Sequence, residues 1–170
     1  MAQTSISKTL TKGFAGQLAD INDIEVVSRT LDDTAVPFGV AVSSDGATVD
    51  DSVELPDAAE LLLGIIVHSH EYAKGPGGTL NDAGLLLAGA RINVLRRGLI
   101  YLVLEQDCVF GDRMYVRITT NGAGKLQLGA VIGATDDSGK TIDARGQIVA
   151  METATAGNPV LCSVDFTNKP

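Results

Sequence analysis

Short runs of Val, Ile and Leu recur along the chain at roughly 8- to 15-residue intervals, separated by Gly, Asp, Asn and Pro clusters, a pattern that belongs to β-sandwiches and small barrels. The spacing predicts strands at Glu25–Ser28, Phe38–Val42, Ala47–Leu55, Gly64–His70, Ile92–Leu95, Leu99–Leu104, Arg113–Thr119, Lys125–Ile132, Gln147–Glu152 and Val160–Asp165. Between them stand residues that tolerate positive φ or form turns, among them Ser44-Asp45-Gly46, Arg97-Gly98, Phe110-Gly111-Asp112, Asn121-Gly122 and Asp137-Ser138-Gly139. Helical patterning is weak. Leu55–Leu63 is compatible with a single turn, and Asn81–Ala90 reads as either a short helix or an irregular strand. The expected fold is therefore mainly β, a single-domain jelly-roll-like sandwich or small β-barrel with at most one or two short helices.

Residues 1–24 lack this periodicity and are rich in small polar residues, so they are expected to form an extended N-terminal arm whose order depends on a partner, preceding a β domain over 25–170. The chain of 170 residues is 45% hydrophobic and contains no tryptophan and few other aromatics, so the core must be built from Val, Ile, Leu and Ala.

Charge removes one class of partner. Thirteen Lys+Arg against 21 Asp+Glu give a formal net charge of −8, the wrong sign for neutralising phosphates, so nucleic acid is not an expected ligand. No apolar run reaches the length of a transmembrane helix, and Met1–Lys12 lacks the apolar stretch of a secretory signal, so synthesis in a cytoplasm without membrane insertion is expected. Cys108 and Cys162 match no redox or zinc spacing and read as small buried side chains or free thiols.

The candidate chemistry is incomplete at each position where it begins. His68-Ser69-His70 on a strand would put two imidazoles on one face, as in a cupin metal site, but Gly64 and Glu71 are misplaced for that motif and the chain has no third histidine. No Gly-x-Ser-x-Gly elbow presents a nucleophile, and Ser5-Ile6-Ser7-Lys8 lacks the companion motifs of a Ser-x-x-Lys site. Lys74-Gly75-Pro76-Gly77-Gly78 lacks the Gly-Lys-Ser/Thr ending of a phosphate loop, and Asp32-Asp33, Asp50-Asp51 and Asp136-Asp137 lack calcium-loop spacing. The expectation is a protein that is not an enzyme and uses no metal, cofactor or small-molecule substrate. Arg91, Arg96, Arg97, Arg113 and Arg117 are concentrated on an otherwise acidic chain; they read as ordinary exposed arginines or as partners of carboxylates across an interface.

Several ordered segments resemble one family. They are Gly13-Phe14-Ala15-Gly16-Gln17-Leu18-Ala19-Asp20, Pro37–Val42, Gly64–His70, Asn93–Gly98 with Tyr101 and Val103, Val109–Arg117, and Ala156–Leu161 leading into Val164-Asp165-Phe166. Together they span nearly the whole chain and are similar to the structural cement, or decoration, proteins of tailed-bacteriophage heads. The resemblance implies a structural virion protein on the outer surface of the capsid, assembled in the bacterial host cytoplasm, that cross-links neighbouring major capsid protein subunits. It also implies a homo-oligomer, dimer or trimer, and carries no catalytic residue over. On this reading Gly13, Phe14 and Gln17 of the arm and Arg91, Arg96, Arg97 and Arg117 are the candidate capsid or partner contacts. The alternative is a tail- or fibre-associated β module for receptor or partner binding; the shortage of aromatic side chains counts against a sugar-stacking platform.

Overall fold

The computed structural model describes residues 13–20, 22–33, 35–44, 51–57, 61–69, 85–120, 127–133, 139–144 and 147–167. Ten strands follow one another: β1 (Glu25–Leu31), β2 (Ala41–Ser44), β3 (Ser52–Glu54), β4 (Leu62–Ile66), β5 (Arg91–Val103), β6 (Tyr115–Arg117), β7 (Val131–Ile132), β8 (Thr141–Asp143), β9 (Ile148–Ala150) and β10 (Pro159–Asp165). Among the described residues there is no helix. Leu62, inside the expected helical turn, opens β4, and Leu86 forms an isolated bridge with Val36, so the irregular-strand reading holds for the described part of 81–90.

Of the two expected architectures, the barrel is the one formed. The order β1-β3-β2-β4-β5 closes on itself because β5 also pairs with β1. The β1–β3 pairing is parallel, and the other four are antiparallel. Closure leaves no free edge among these five strands, which removes a route to uncontrolled pairing with other chains. The interior is aliphatic, with Leu31, Val36, Val42, Val53, Ile66, Leu86, Ile92 and Val94 almost wholly buried around Phe38.

β5 joins this barrel to the rest of the molecule. Its first half lies between β1 and β4, and its second half pairs with β10, which in turn pairs with β9. A three-stranded sheet of order β7-β6-β8 covers this end, and a second apolar cluster, including Ile100, Leu102, Met114, Val116, Ile148 and Cys162, fills the space. Alternation along β10, with Val160, Cys162 and Val164 buried, shows the period-two pattern of a strand with one face in a core.

The separate strands expected at Ile92–Leu95 and Leu99–Leu104 are one 13-residue strand, and Arg97-Gly98 is not a turn. Opposite it the register shifts between Glu25 and Val26, which face Arg97 and Leu95. Gly98 has φ 141, and a Cβ there would meet Ile24 Cγ2 at 2.9 Å. The glycine accommodates a bulge and a close neighbour within a continuous strand. Strand β8 escaped the sequence reading because Thr141-Ile142-Asp143 has a single apolar position and is largely unburied.

Candidate docking surface

The Gly-Phe-Ala-Gly-Gln motif is a fastening. Residues 13–20 run antiparallel to the second half of β5, with Leu18 bridging Ile100. Gly16 N donates to Tyr101 O at 2.8 Å, Tyr101 N to Gln17 O at 2.9 Å, Ala19 N to Leu99 O at 3.0 Å, and His68 N to Gly16 O at 2.8 Å. Gly16 (φ 79) and Gly39 (φ 77) meet backbone to backbone: a Cβ on Gly16 would lie 3.0 Å from Gly39 N, and one on Gly39 would lie 2.8 Å from Gly16 N. Only glycine permits this approach, and both positions need its left-handed backbone. The described part of the expected arm is thus held by the chain itself; residues 1–12 lie outside the described residues.

This segment places three of the predicted contact residues. Gly13 rests against the Tyr101 ring. Phe14 remains 43% exposed and meets His68 edge-on, with ring centroids 4.5 Å apart. Gln17 is half-buried, and its Oε1 has no hydrogen-bond donor among the described residues. On its other side His68 packs against Phe38, again at 4.5 Å, so this imidazole lies between two aromatic rings. His70 lies outside the described residues. Among the described residues, no group of three or more His, Cys, Asp or Glu side chains could hold a metal ion.

Arg91, Arg96, Arg97 and Arg117 have partners within the chain. Arg91 Nη1 donates to both oxygens of Asp51 at 2.7 Å and to Thr30 Oγ1 at 3.2 Å, joining β5, β1 and the residue before β3 where the barrel closes. Arg96 Nη1 donates to Glu25 Oε1 at 2.8 Å, and Arg97 Nη2 to Asp23 Oδ2 at 2.8 Å. The expected cationic surface is therefore largely neutralised by carboxylates far away in sequence. Arg117 departs further from the sequence expectation. It is 2% exposed, and its guanidinium grips Glu105 beside the second core.

Neither cysteine is exposed, and both are free thiols. Burial, with smaller contributions from Cys108 and Glu152, pushes the Cys162 thiol up to about 12, which makes it unreactive. An open cleft of about 370 Å³ beside the Arg97–Asp23 pair is floored by Gly98 and Ser163; the arginine there is already paired. What the surface offers instead is apolar side chains. Among the large hydrophobic residues described, the most exposed is Phe110 at 68%, followed by Val109 at 56% and Leu87 at 51%. In the sequence Phe110-Gly111-Asp112 reads as a turn and as part of the family-like segment Val109–Arg117, and Phe110 itself was not singled out, although a phenylalanine at a turn tip was a signal, given only four in the chain.

A family model described as structural cement protein (E217 gp24/Pam3 gp6) matches residues 2–165. A chain from the capsid of Myoviridae phage XM1 is similar in fold, with a TM-score of 0.65 at 15% identity over 96% of this chain and 97% of that one. The head fibre gp8.5 N base of bacteriophage phi29 aligns over 86% of this chain and 98% of its own at 16% identity, but its TM-score of 0.40 is too low to carry an argument. No curated protein matches the sequence.

Proposed function

This chain belongs to the phage structural cement protein family, and on that premise we propose that it binds the outer surface of a phage head and stabilises the shell by linking neighbouring major capsid protein subunits. The observation that carries the reading is the match of the family model from residue 2 to residue 165, across both the fastened N-terminal segment and the barrel. The physical character of the chain supports it. A closed barrel with a tightly buried aliphatic interior is a compact block, suited to transmitting load between the subunits it touches. Several contacts held by one compact body must be broken together, so weak individual contacts combine into a strong clamp.

Residues 1–24 act as the capsid-contacting arm in this reading. The Gly16–Gly39 contact holds residues 13–20 of this arm in place, with Phe14 exposed and Gln17 half-buried. Arg91 and Arg97, paired but partly exposed, contribute to the charged rim of the same protein. The chain works as a symmetric homo-oligomer on the symmetric shell and performs no catalysis. Co-sedimentation of the purified chain with expanded heads that lack it, with unexpanded procapsids as control, tests the proposal. Saturable binding to expanded heads is expected; absence of binding to either particle contradicts it.

A further inference from the structure

The turn at Val109–Asp112 is built to hold an apolar side chain out in solvent. Asp112 closes it from both directions: its Oδ2 accepts Val109 N at 2.8 Å, and its own N donates to Val109 O at 3.1 Å. The turn is then fastened to the end of β9, where Gly111 N donates to Ala150 O at 2.8 Å, Ala150 N to Asp112 O at 2.9 Å, and Phe110 N to Thr153 Oγ1 at 3.3 Å. Gly111 takes φ 86 at the tip. Every backbone amide from Val109 to Asp112 is thus bonded, while Phe110 is 68%, Val109 56% and Met151 38% exposed.

Phe110 therefore stands in solvent on a turn whose backbone is fixed by hydrogen bonds. A side chain held in this way loses little conformational entropy when a partner takes it, which is how aromatic anchors dominate interfaces. The surroundings say what kind of partner fits. Three carboxylates and one arginine neighbour the turn: Asp112 within it, Asp107 two residues before it with Oδ1 accepting Ala156 N, Glu152 next to Met151 with Oε1 accepting Leu161 N, and the exposed Arg113, which bridges Val149. Cys108 Sγ donates to Glu152 O at 3.7 Å, and Cys108 and Ala154 exchange backbone bonds at 2.9 and 3.1 Å, so the segment carrying Asp107 and the one carrying Glu152 lie side by side beneath the turn. An apolar knob whose surroundings carry three carboxylates against one arginine is complementary to an apolar pocket with a net basic rim.

We propose that Val109 and Phe110, backed by Met151, form an anchor that enters an apolar, basic-rimmed pocket on the coat protein of the phage shell. This rests on the cement reading and names a contact surface for it outside the N-terminal arm. The test uses the full chain in the head-binding assay, comparing wild type, Phe110→Ala and the double variant Asp107→Asn/Glu152→Gln, which keeps the acceptor oxygens used inside the chain. Thermal melts of the free proteins establish that the variants are folded.

Phe110→Ala is expected to bind expanded heads at least about tenfold more weakly. The double variant is expected to bind more weakly than wild type and with a shallower dependence on salt. Wild-type affinity in Phe110→Ala overturns the anchor and leaves the cement reading in place. If Phe110→Ala instead dissociates an oligomer of the free chain without changing head binding, the turn belongs to an interface between copies and the assignment to the shell is overturned. Failure of the wild type to bind heads overturns both.

Discussion

Arg117 Nη2 donates to Glu105 Oε2 at 2.7 Å while Nε reaches both carboxylate oxygens at 3.0 and 3.1 Å, and 2% and 12% of the two side chains are exposed. Arg117 Nη1 also donates to Thr119 O, and its backbone bonds to Ala130 O and Gly129 N, tying β6 to the strand-entry segment of β7. Removing one partner leaves a buried charge without compensation. Arg117→Met is therefore expected to lower unfolding free energy by about 3–5 kcal/mol, and chemical denaturation measures it. The double variant Arg117→Met/Glu105→Leu should recover much of the loss.

Gly16→Ala forces a side chain into a left-handed backbone position and to within 3.0 Å of His68 N, Gly39 N and Ile66 O. The conformational part alone costs about 1–2 kcal/mol, with the close approach adding to it. The effect should be local. In hydrogen exchange, the amides of Tyr101 and His68, which donate to residues 16 and 17, are expected to lose protection, while the amide of Met151, which donates to Leu161 O, keeps it.

The pairs Arg91–Asp51 and Arg97–Asp23 lie in solvent, and such pairs contribute little to stability. Arg91→Gln and Arg97→Gln should each shift unfolding free energy by less than about 1 kcal/mol. A larger loss in Arg91→Gln would show that its three-way contact with Asp51 and Thr30 carries the closure of the barrel.

Cys162 gives a pH signature. Its thiol has a folded pKa of about 12 against 9.0 for the free group. Above pH 9 the unfolded chain releases this proton while the folded chain keeps it, so the folded state binds more protons and stability falls as pH rises. The slope from this group is about 1 kcal/mol per pH unit between those two values, and it is absent below pH 9. Denaturation of wild type and Cys162→Ala from pH 8 to 10.5 should give curves whose difference is flat to pH 9 and declines beyond it.

The β class, most strand positions and the continuity of the family-like segments were legible because period-two alternation and turn residues act locally. What depends on distant partners was not. The arginines read as ordinary exposed side chains or as partners of carboxylates across an interface, since nothing near Arg91, Arg96 or Arg97 in sequence announces Asp51, Glu25 or Asp23, and Arg117 in Tyr115-Val116-Arg117 carries no mark of burial. Gly98 read as a turn because a bulge inside a long strand uses the same residue. The weak periodicity of residues 13–20 suggested looseness, whereas their order comes from backbone bonds to β5 and from a glycine pair separated by more than twenty positions.

The most direct test of the central claim is the temperature at which DNA-filled heads lacking this chain release their genome, measured before and after adding the chain to saturation. The proposed clamp predicts a higher release temperature that tracks occupancy and reaches a plateau when binding saturates. An unchanged release temperature on fully occupied heads would contradict it, because a protein that binds the shell without raising its resistance to rupture is not cementing it.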